Sequence, residues 1–453
     1  MKNQKLQLKK IGLLTPYTGG NLGDGAIQEA VITNIRARFA NVYIHGFTLD
    51  PYRTERLLQI PCSPITAIPI RHYHNPPSIK INETISQGEN CLAYKYKLKD
   101  MIKKVPLLFR FLKLMRNYTQ PMVIALTSLL AEIRLIIRSY KMLKSFDLIL
   151  VSGGGQLDDY WGGAWGHPYN LLKWGIIAKA SKTPYFFLSV GTCTFDSRLS
   201  ELFVKWALKM SEYRSYRDQG SKTLLKHMEF TRNDPVYPDL AFSHRQPLKT
   251  TSTATLKRRP VIGISPIAHL SAYFQPTSDL NVYNHYMATL IEFVIFLLKK
   301  EYSIVLFHTS GADRYVVKEL METLYKIKDN DTLKGISEIT TESVEDLLTQ
   351  IIHFDCVVAS RLHSVILAHL MNLPALAISY DRKVIAHMED IDQTDFCLDI
   401  HKLDLNSLTR TFDSLISNID NVRSTLAEKT TKFRNSLTTQ YDNILNIHHD
   451  GIS

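Results

Sequence analysis

The chain has 453 residues, 45% hydrophobic and 21% charged, with a formal net charge of +11. That is a globular composition with length for two or three domains and room to bury substantial cores. Five dispersed cysteines without a CxxC pair argue against a disulfide framework and a zinc site, and for a reducing, cytoplasmic compartment. The positive charge favours phosphorylated ligands or acidic lipid headgroups, with solubility as the plain alternative. Nucleic acid is not expected as a partner, because there is no zinc-finger or RRM signature and no basic run with interleaved aromatics. The opening "MKNQKLQLKKIGLLTPYTGG" is too short in apolar residues for a secretory signal and reads as a polar lead into a first strand.

In chain order, "KKIGLLTPY" predicts a strand, "DGAIQEAVITNIRARF" a helix and "NVYIHGFTLD" a second strand. A basic, apolar segment near residues 95–145 follows, helical in pattern. Its longest uncharged run, 117–131, spans 15 residues and contains a proline. That falls short of the roughly 20 needed to cross a bilayer. Two readings fit it: a helical pair packed on its own domain, or a surface lying on an anionic membrane. Next come the strand "FDLILVSGGGQ", the helix "YNLLKWGIIAKAS" and the strand "TPYFFLSVGT". The polar stretch 244–259 marks a linker between an N-terminal α/β lobe (1–243) and a C-terminal one (260–402). The second lobe reads "RPVIGISPI", "YNHYMATLIEFVIFLLKKE", "YSIVLFHTS", "SVEDLLTQIIHF", "DCVVAS", "RLHSVILAHLMN" and "LPALAIS", and a helical tail occupies 403–453. Strand–helix alternation predicts two Rossmann-like parallel sheets, with ligands beyond the strand ends.

Several candidate residues lie at those ends. In "VVASRLHSVILAHL", Ser360 is a predicted N-cap, and Arg361 and His363 flank a helix start whose free N–H groups and dipole favour a phosphate or carboxylate. Arg361 offers a planar fork for either anion, and His363 can donate a hydrogen bond or a proton. "TGGNLGDGAI" places Asn21 and Asp24 after the first strand. Asp24 suits hydrogen bonding or proton acceptance, with capping of the next helix as the alternative. Gly154 and Gly155 precede Asp158 and Asp159, carboxylates that compete with Asp24. Tyr160, Trp161 and Trp165 can stack on a ligand, pack in the core or order a loop. "HTSGADR" is a second-lobe loop that can face the cleft, and His72 and His74 are a weak metal pair; no metal site is expected.

These pieces resemble the polysaccharide pyruvyl transferase family. "ASRLHSVILAHLMNLPALAISYDRKV" is similar to its C-terminal signature. "GNLGDGAI", "VSGGGQLDD", "YRSYRDQGSKTLL" and "PDLAF" match further family segments in order. The resemblance implies a two-lobed GT-B-like fold with its active site in the cleft between lobes. It implies phosphoenolpyruvate as donor substrate, no cofactor, and a cyclic pyruvate ketal formed on a sugar of a cell-surface or exported glycan. Arg361, Leu362, His363 and Arg217, with Ser360, are then the donor-binding residues. Asn21, Asp24, Gly154, Gly155 and Asp158 lie on the acceptor side, and His363 and Asp24 are the catalytic candidates. The sequence departs from the family in "SVGTCTFDS", where only Gly191 stands for a glycine-rich loop, and in the basic insertion, which can adapt the enzyme to a lipid-linked acceptor. A cytoplasmic protein, peripheral at the inner face of the membrane, is the expected setting. The rival readings are a GT-B glycosyltransferase using a nucleotide sugar and a non-catalytic membrane-surface scaffold.

Overall fold

A computed structural model describes residues 10–68, 126–160, 162–246, 259–269, 271, 280–329 and 332–446. Short apolar runs become parallel strands, buried on both faces as helix-covered parallel sheets require. The first sheet contains β1 (Lys10–Leu14), β2 (Tyr43–Thr48), β3 (Cys62–Pro64), β4 (Leu148–Leu157), β5 (Tyr185–Thr192) and β6 (Tyr213–Tyr216), ordered β3-β2-β1-β4-β5-β6. The second contains β7 (Val261–Ser265), β8 (Ser303–Leu306), β9 (Ile336–Glu338), β10 (Cys356–Ala359), β11 (Ala375–Ser379) and β12 (Cys397–Asp399), ordered β12-β11-β10-β7-β8-β9. Both orders reverse in the middle, so each lobe has a crevice where its connections diverge.

The first-lobe helices are α1 (Leu22–Arg38), α2 (Pro51–Leu58), α3 (126–143), α4 (His167–Ser181), α5 (Arg198–Met210) and α6 (Gln219–His227). The second lobe carries α7 (Leu280–Lys299), α8 (Asp313–Ile327), α9 (Val344–Ile351), α10 (Leu362–Leu370) and α11 (Arg382–Asp390). Helix α10 is buried along its whole length, as its apolar sequence demands.

The two lobes share one core. A single apolar cluster joins Ala26 and Ile27 of α1, Leu240 and Phe242 after the first lobe, and Leu362, Val365 and Ile366 of α10. A separate cluster fills the opposite face of the first sheet with Leu143, Trp174, Val204 and Leu208 from α3, α4 and α5. Backbone hydrogen bonds also join the lobes: Leu22 N–H donates to the Thr309 carbonyl (2.8 Å) and Gly311 N–H to the Gly20 carbonyl (3.0 Å). The tail forms α12 (Leu405–Ser417) and α13 (Ile419–Asn446). Helix α13 returns to the first lobe, where Gln440 Nε2 donates to Ser215 Oγ (2.7 Å) and Arg38 Nε donates to Asp442 Oδ1 (2.8 Å).

Of the basic insertion, α3 is described and packs on its own lobe through one face. Glu132 on that face meets Lys173 Nζ at 2.5 Å and accepts from Ala67 N–H at 2.6 Å. Burial pulls the Lys173 ammonium down to about 8 against the opposing pull of Glu132. The rest of the insertion lies outside the described residues, as do His72 and His74. Among the described residues no helix is long and apolar enough to cross a membrane.

Candidate active site

The site is assembled where α1, α10 and the turn before the linker meet. Asn21 caps α1: its Oδ1 accepts from Gly23 N–H (3.0 Å), and its Nδ2 donates to Asp24 Oδ2 (2.8 Å). Asp24 is therefore not the cap; it is held by the cap. Burial raises its carboxyl above the usual range, against the pull of His363. Gly23 leaves space for His363, since a Cβ there would lie 2.1 Å from the ring Cγ. A glycine is required for this approach.

Ser360 does not cap α10. Its N–H completes the β10–β7 pairing on the Ser265 carbonyl (3.0 Å), and its hydroxyl meets Tyr286 OH (2.8 Å). Arg361 takes the cap position in extended conformation without a side-chain cap bond. Nor is its fork wholly free for an anion. Nε and Nη2 donate to Asp313 at 2.5 and 2.7 Å, and Asp313 also accepts from Ala268 N–H at 2.9 Å. Nη1 is the guanidinium nitrogen that this carboxylate leaves unengaged. Tyr160 of the first lobe and Tyr380 of the second lie within electrostatic reach of the same group.

Asp239, from "PDLAF", faces His363 and Arg217. One oxygen accepts from Ala241 N–H (3.0 Å); the other lies 3.7 Å from Arg217 Nη1 and 3.8 Å from His363 Nε2. These last are ion-pair distances, too long for direct hydrogen bonds. Asp239 Oδ2 and His363 Nε2 are both buried with no hydrogen-bond partner among the described residues. Burial pushes the Asp239 carboxyl up, but His363 and then Arg217 outweigh it and hold it at about 2. It is therefore ionised.

Arg217 rests against Gly191, where a Cβ would lie 2.7 Å from Nη2 and 2.8 Å from Cζ. The one glycine left in "SVGT" thus makes room for the arginine. Gly191→Ala is expected to displace the guanidinium and raise the KM for an anionic substrate by about ten- to a hundredfold, the loss of one charge-assisted hydrogen bond at roughly 1.5–3 kcal/mol. Steady-state kinetics check it; an unchanged KM would separate Gly191 from the site.

A cavity of about 220 Å³ opens here, lined in part by Arg217, Asp239, Leu362, Lys383 and His387. Arg361 and His363 adjoin it without lining it. Across the lobes, Asp158 and Tyr160 face Tyr380 and Lys383. The Lys383 ammonium sits 5.2 Å over the Tyr380 ring and 3.3 Å from Asp381 Oδ2. Burial pushes the Asp158 carboxyl up to about 7, against the pull of Lys383. Gly154 and Gly155 lie within β4 rather than beyond its end; a Cβ on Gly154 would meet Asp24 Oδ1 at 3.5 Å, and one on Gly155 Asp158 Oδ2 at 3.1 Å. Asp159 instead orders a loop by accepting from Asp196 N–H (3.0 Å). Trp165 packs against Tyr169 and Phe203 and is otherwise exposed; Trp161 lies outside the described residues.

The structure thus brings Asn21, Asp24, Arg217, Leu362 and His363 together, with Gly154, Gly155 and Asp158 beside them. "HTSGADR" does reach the first lobe and supplies Asp313. Sequence reasoning left Asp239, Asp313 and Lys383 without a role, although all three stand in the quoted segments "PDLAF", "HTSGADR" and "ISYDRK".

The profile described as polysaccharide pyruvyl transferase matches residues 21–382. No curated protein matches the chain. Among solved structures, Anabaena HepE in complex with UDP superposes with a TM-score of 0.54 at 10% identity, covering 98% of this chain and 100% of that one. A glycosyltransferase from Rickettsia africae gives 0.53 at 10% identity, with 98% and 100% covered. UDP-GlcNAc 2-epimerase from Neisseria meningitidis bound to UDP-GlcNAc gives 0.52 at 11%, with 97% and 100% covered. At such identities the likeness establishes the two-lobed GT-B architecture.

Proposed function

As the chain belongs to the polysaccharide pyruvyl transferase family, we propose that it transfers the pyruvyl group of phosphoenolpyruvate to two hydroxyls of one sugar in a cell-surface or exported glycan. The observation that carries this reading is the small cavity between the lobes, with Arg217 and Lys383 in its wall and the His363–Asp239 pair at its edge. At about 220 Å³ it falls below the roughly 300–1,000 Å³ usual for larger ligands and suits a compact anion. Arg217, Lys383 and the free edge of Arg361 would engage the phosphate and carboxylate. Asp313 would hold Arg361, and Asp218 (3.4 Å from Arg217 Nε) together with Asp239 would hold Arg217, beside the donor.

In this mechanism the methylene carbon of the donor takes a proton from His363, leaving an oxocarbenium-like centre. One sugar hydroxyl adds to it and gives up its proton. Phosphate then leaves with the C–O electron pair, and the second hydroxyl closes the ketal. Of the two hydroxyl protons, one replaces the proton spent on the methyl group and the other leaves with phosphate. Asp24, held by Asn21, would receive a hydroxyl proton. Asp239, 3.8 Å from Nε2, would offset the charge the imidazole gains on reprotonation.

The test is incubation with phosphoenolpyruvate and glycan fractions, reading phosphate release and a product mass increased by pyruvate less water. Phosphate release without glycan modification, or stabilisation by UDP-sugars with no response to phosphoenolpyruvate, would overturn it.

A pH dependence accompanies the reading. With its carboxyl raised to about 7, Asp158 is neutral below that pH and ionised above it. Ionisation adds a negative charge beside the donor, so KM for phosphoenolpyruvate should rise above about pH 7. In Asp158→Asn that rise should flatten, and a pH profile of kcat/KM checks it.

A further inference from the structure

We infer that the outer face of α3 and its neighbours is a docking surface for an anionic lipid bilayer. Among the described residues α3 packs on the first lobe through one face: Glu132, Ser139 and Leu143 are buried there. The other face presents Leu126, Leu129, Leu130, Ile133 and Ile137, each between 43% and 56% exposed. Their spacing follows one side of a helix. Arg134, Arg138, Lys141 and Lys144 are exposed on the same helix and the turn after it. The only acid over 126–145 is Glu132, already spent on Lys173 inside the lobe. Along this helix the described face is thus apolar and cationic, with no carboxylate of its own to compensate.

Exposed aromatic, apolar and basic residues also stand on and beside α4 and α5, past the buried Glu132–Lys173 pair that ties α3 to α4. Lys173 lies 5.2 Å over the Tyr169 ring, Tyr169 packs on Trp165 at 5.8 Å, and Trp165 meets Phe203 of α5 at 5.5 Å. Trp165, Leu202 and Trp206 are exposed, beside Arg198 and Lys209. Exposed tryptophans, leucines and isoleucines interspersed with basic residues are the composition of a membrane-interface element, in which apolar groups enter the headgroup boundary and cations meet acidic lipids. A second copy is a poorer occupant. A two-fold contact through α3 would set Arg134 and Arg138 against the same charges on the other copy. The face lies on the side of the first sheet away from the core shared with the second lobe, so docking leaves the inter-lobe cavity uncovered.

The test is flotation of the full-length protein with vesicles of phosphatidylcholine alone and of phosphatidylcholine mixed with phosphatidylglycerol. Binding to the mixed vesicles, weakened by salt, is expected. Arg134→Glu with Arg138→Glu, and separately Ile133→Asp with Ile137→Asp, should each lower the partition by about tenfold or more, since each basic residue near an acidic surface contributes roughly 1 kcal/mol. All four residues are exposed, so the variants should melt with the parent. Three results would overturn the inference. One is equal or absent binding to both lipids. Another is variants that bind as the parent does. The last is variants whose only change is a lower melting temperature or a smaller oligomer, which would assign the face to the chain's own residues or to a second copy. None of these readouts depends on which donor the enzyme uses.

Discussion

Replacing His363 by alanine is expected to lower turnover with phosphoenolpyruvate by about a hundredfold or more, the usual range for a general acid. The geometry makes the loss specific. The ring is packed on Gly23, and its Nε2 points to an ionised Asp239 at 3.8 Å. Few other orientations are open to it. A purely structural role predicts a fall in melting temperature with kcat largely kept; a proton-transfer role predicts the reverse. Gly23→Ala provides an independent approach to the same group. Its Cβ would lie 2.1 to 2.4 Å from three His363 atoms, so the imidazole or the helix pairing must shift, and turnover should fall without any change in the residues that carry protons. Asp239→Asn should reduce kcat less than removal of the ring and should alter the pH profile, because it removes the charge opposite the imidazole while keeping its shape. Near-parent turnover of His363→Ala across the pH range would remove His363 from the chemistry.

The central strands were legible because a parallel strand covered on both faces needs an unbroken apolar run, as in "DCVVAS" and "YSIVLFHTS". The four edge strands were not; β6, "YRSY", is only four residues long and is interrupted by Arg214. β3, β9 and β12 have three residues each, and "CSP", "ISE" and "CLD" carry no apolar period. Ser360 shows how a local rule loses to the sheet. A serine before a helical run reads as a cap, but β10 still needs its N–H for the pairing with β7, so the helix starts two residues later. Within the site, Arg217, Arg361 and His363 were legible, whereas Lys383 and the carboxylates Asp239 and Asp313 were not. An anionic donor directs attention to Arg217, Arg361 and His363. Asp239 and Asp313 acquire their roles from partners far along the chain, 48 residues away for Arg361 and Asp313, and one sequence does not show which distant carboxylate meets which arginine. The exposed ridge of α3 was half legible. Its basic and apolar composition was plain, whereas which face Glu132 turns inward required the fold.

Asp313→Ala is expected to destabilise the protein by about 3–5 kcal/mol, the loss typical when one partner of a buried ion pair is removed. Asp313 is fully buried at the start of α8, and the Arg361 side chain is 13% exposed, so solvent cannot replace the lost carboxylate. The Ala268 N–H loses its acceptor in the same step. Urea unfolding measures the change. Asp313→Asn separates charge from geometry: it keeps an acceptor for Ala268 but no longer offers Arg361 a two-point ion pair. Its expected signature is a raised KM for phosphoenolpyruvate with a smaller change in kcat, because the guanidinium becomes free to turn out of the cleft. The double variant Asp313→Ala with Arg361→Met decides between two accounts. If Asp313 exists to hold Arg361, removing both charges should recover part of the stability lost by Asp313→Ala, since an apolar side chain needs no counter-ion. The same protein should still fail to bind the donor tightly. A double variant no more stable than Asp313→Ala would mean that the carboxylate serves the Ala268 loop, and that Arg361 is not kept in place by charge.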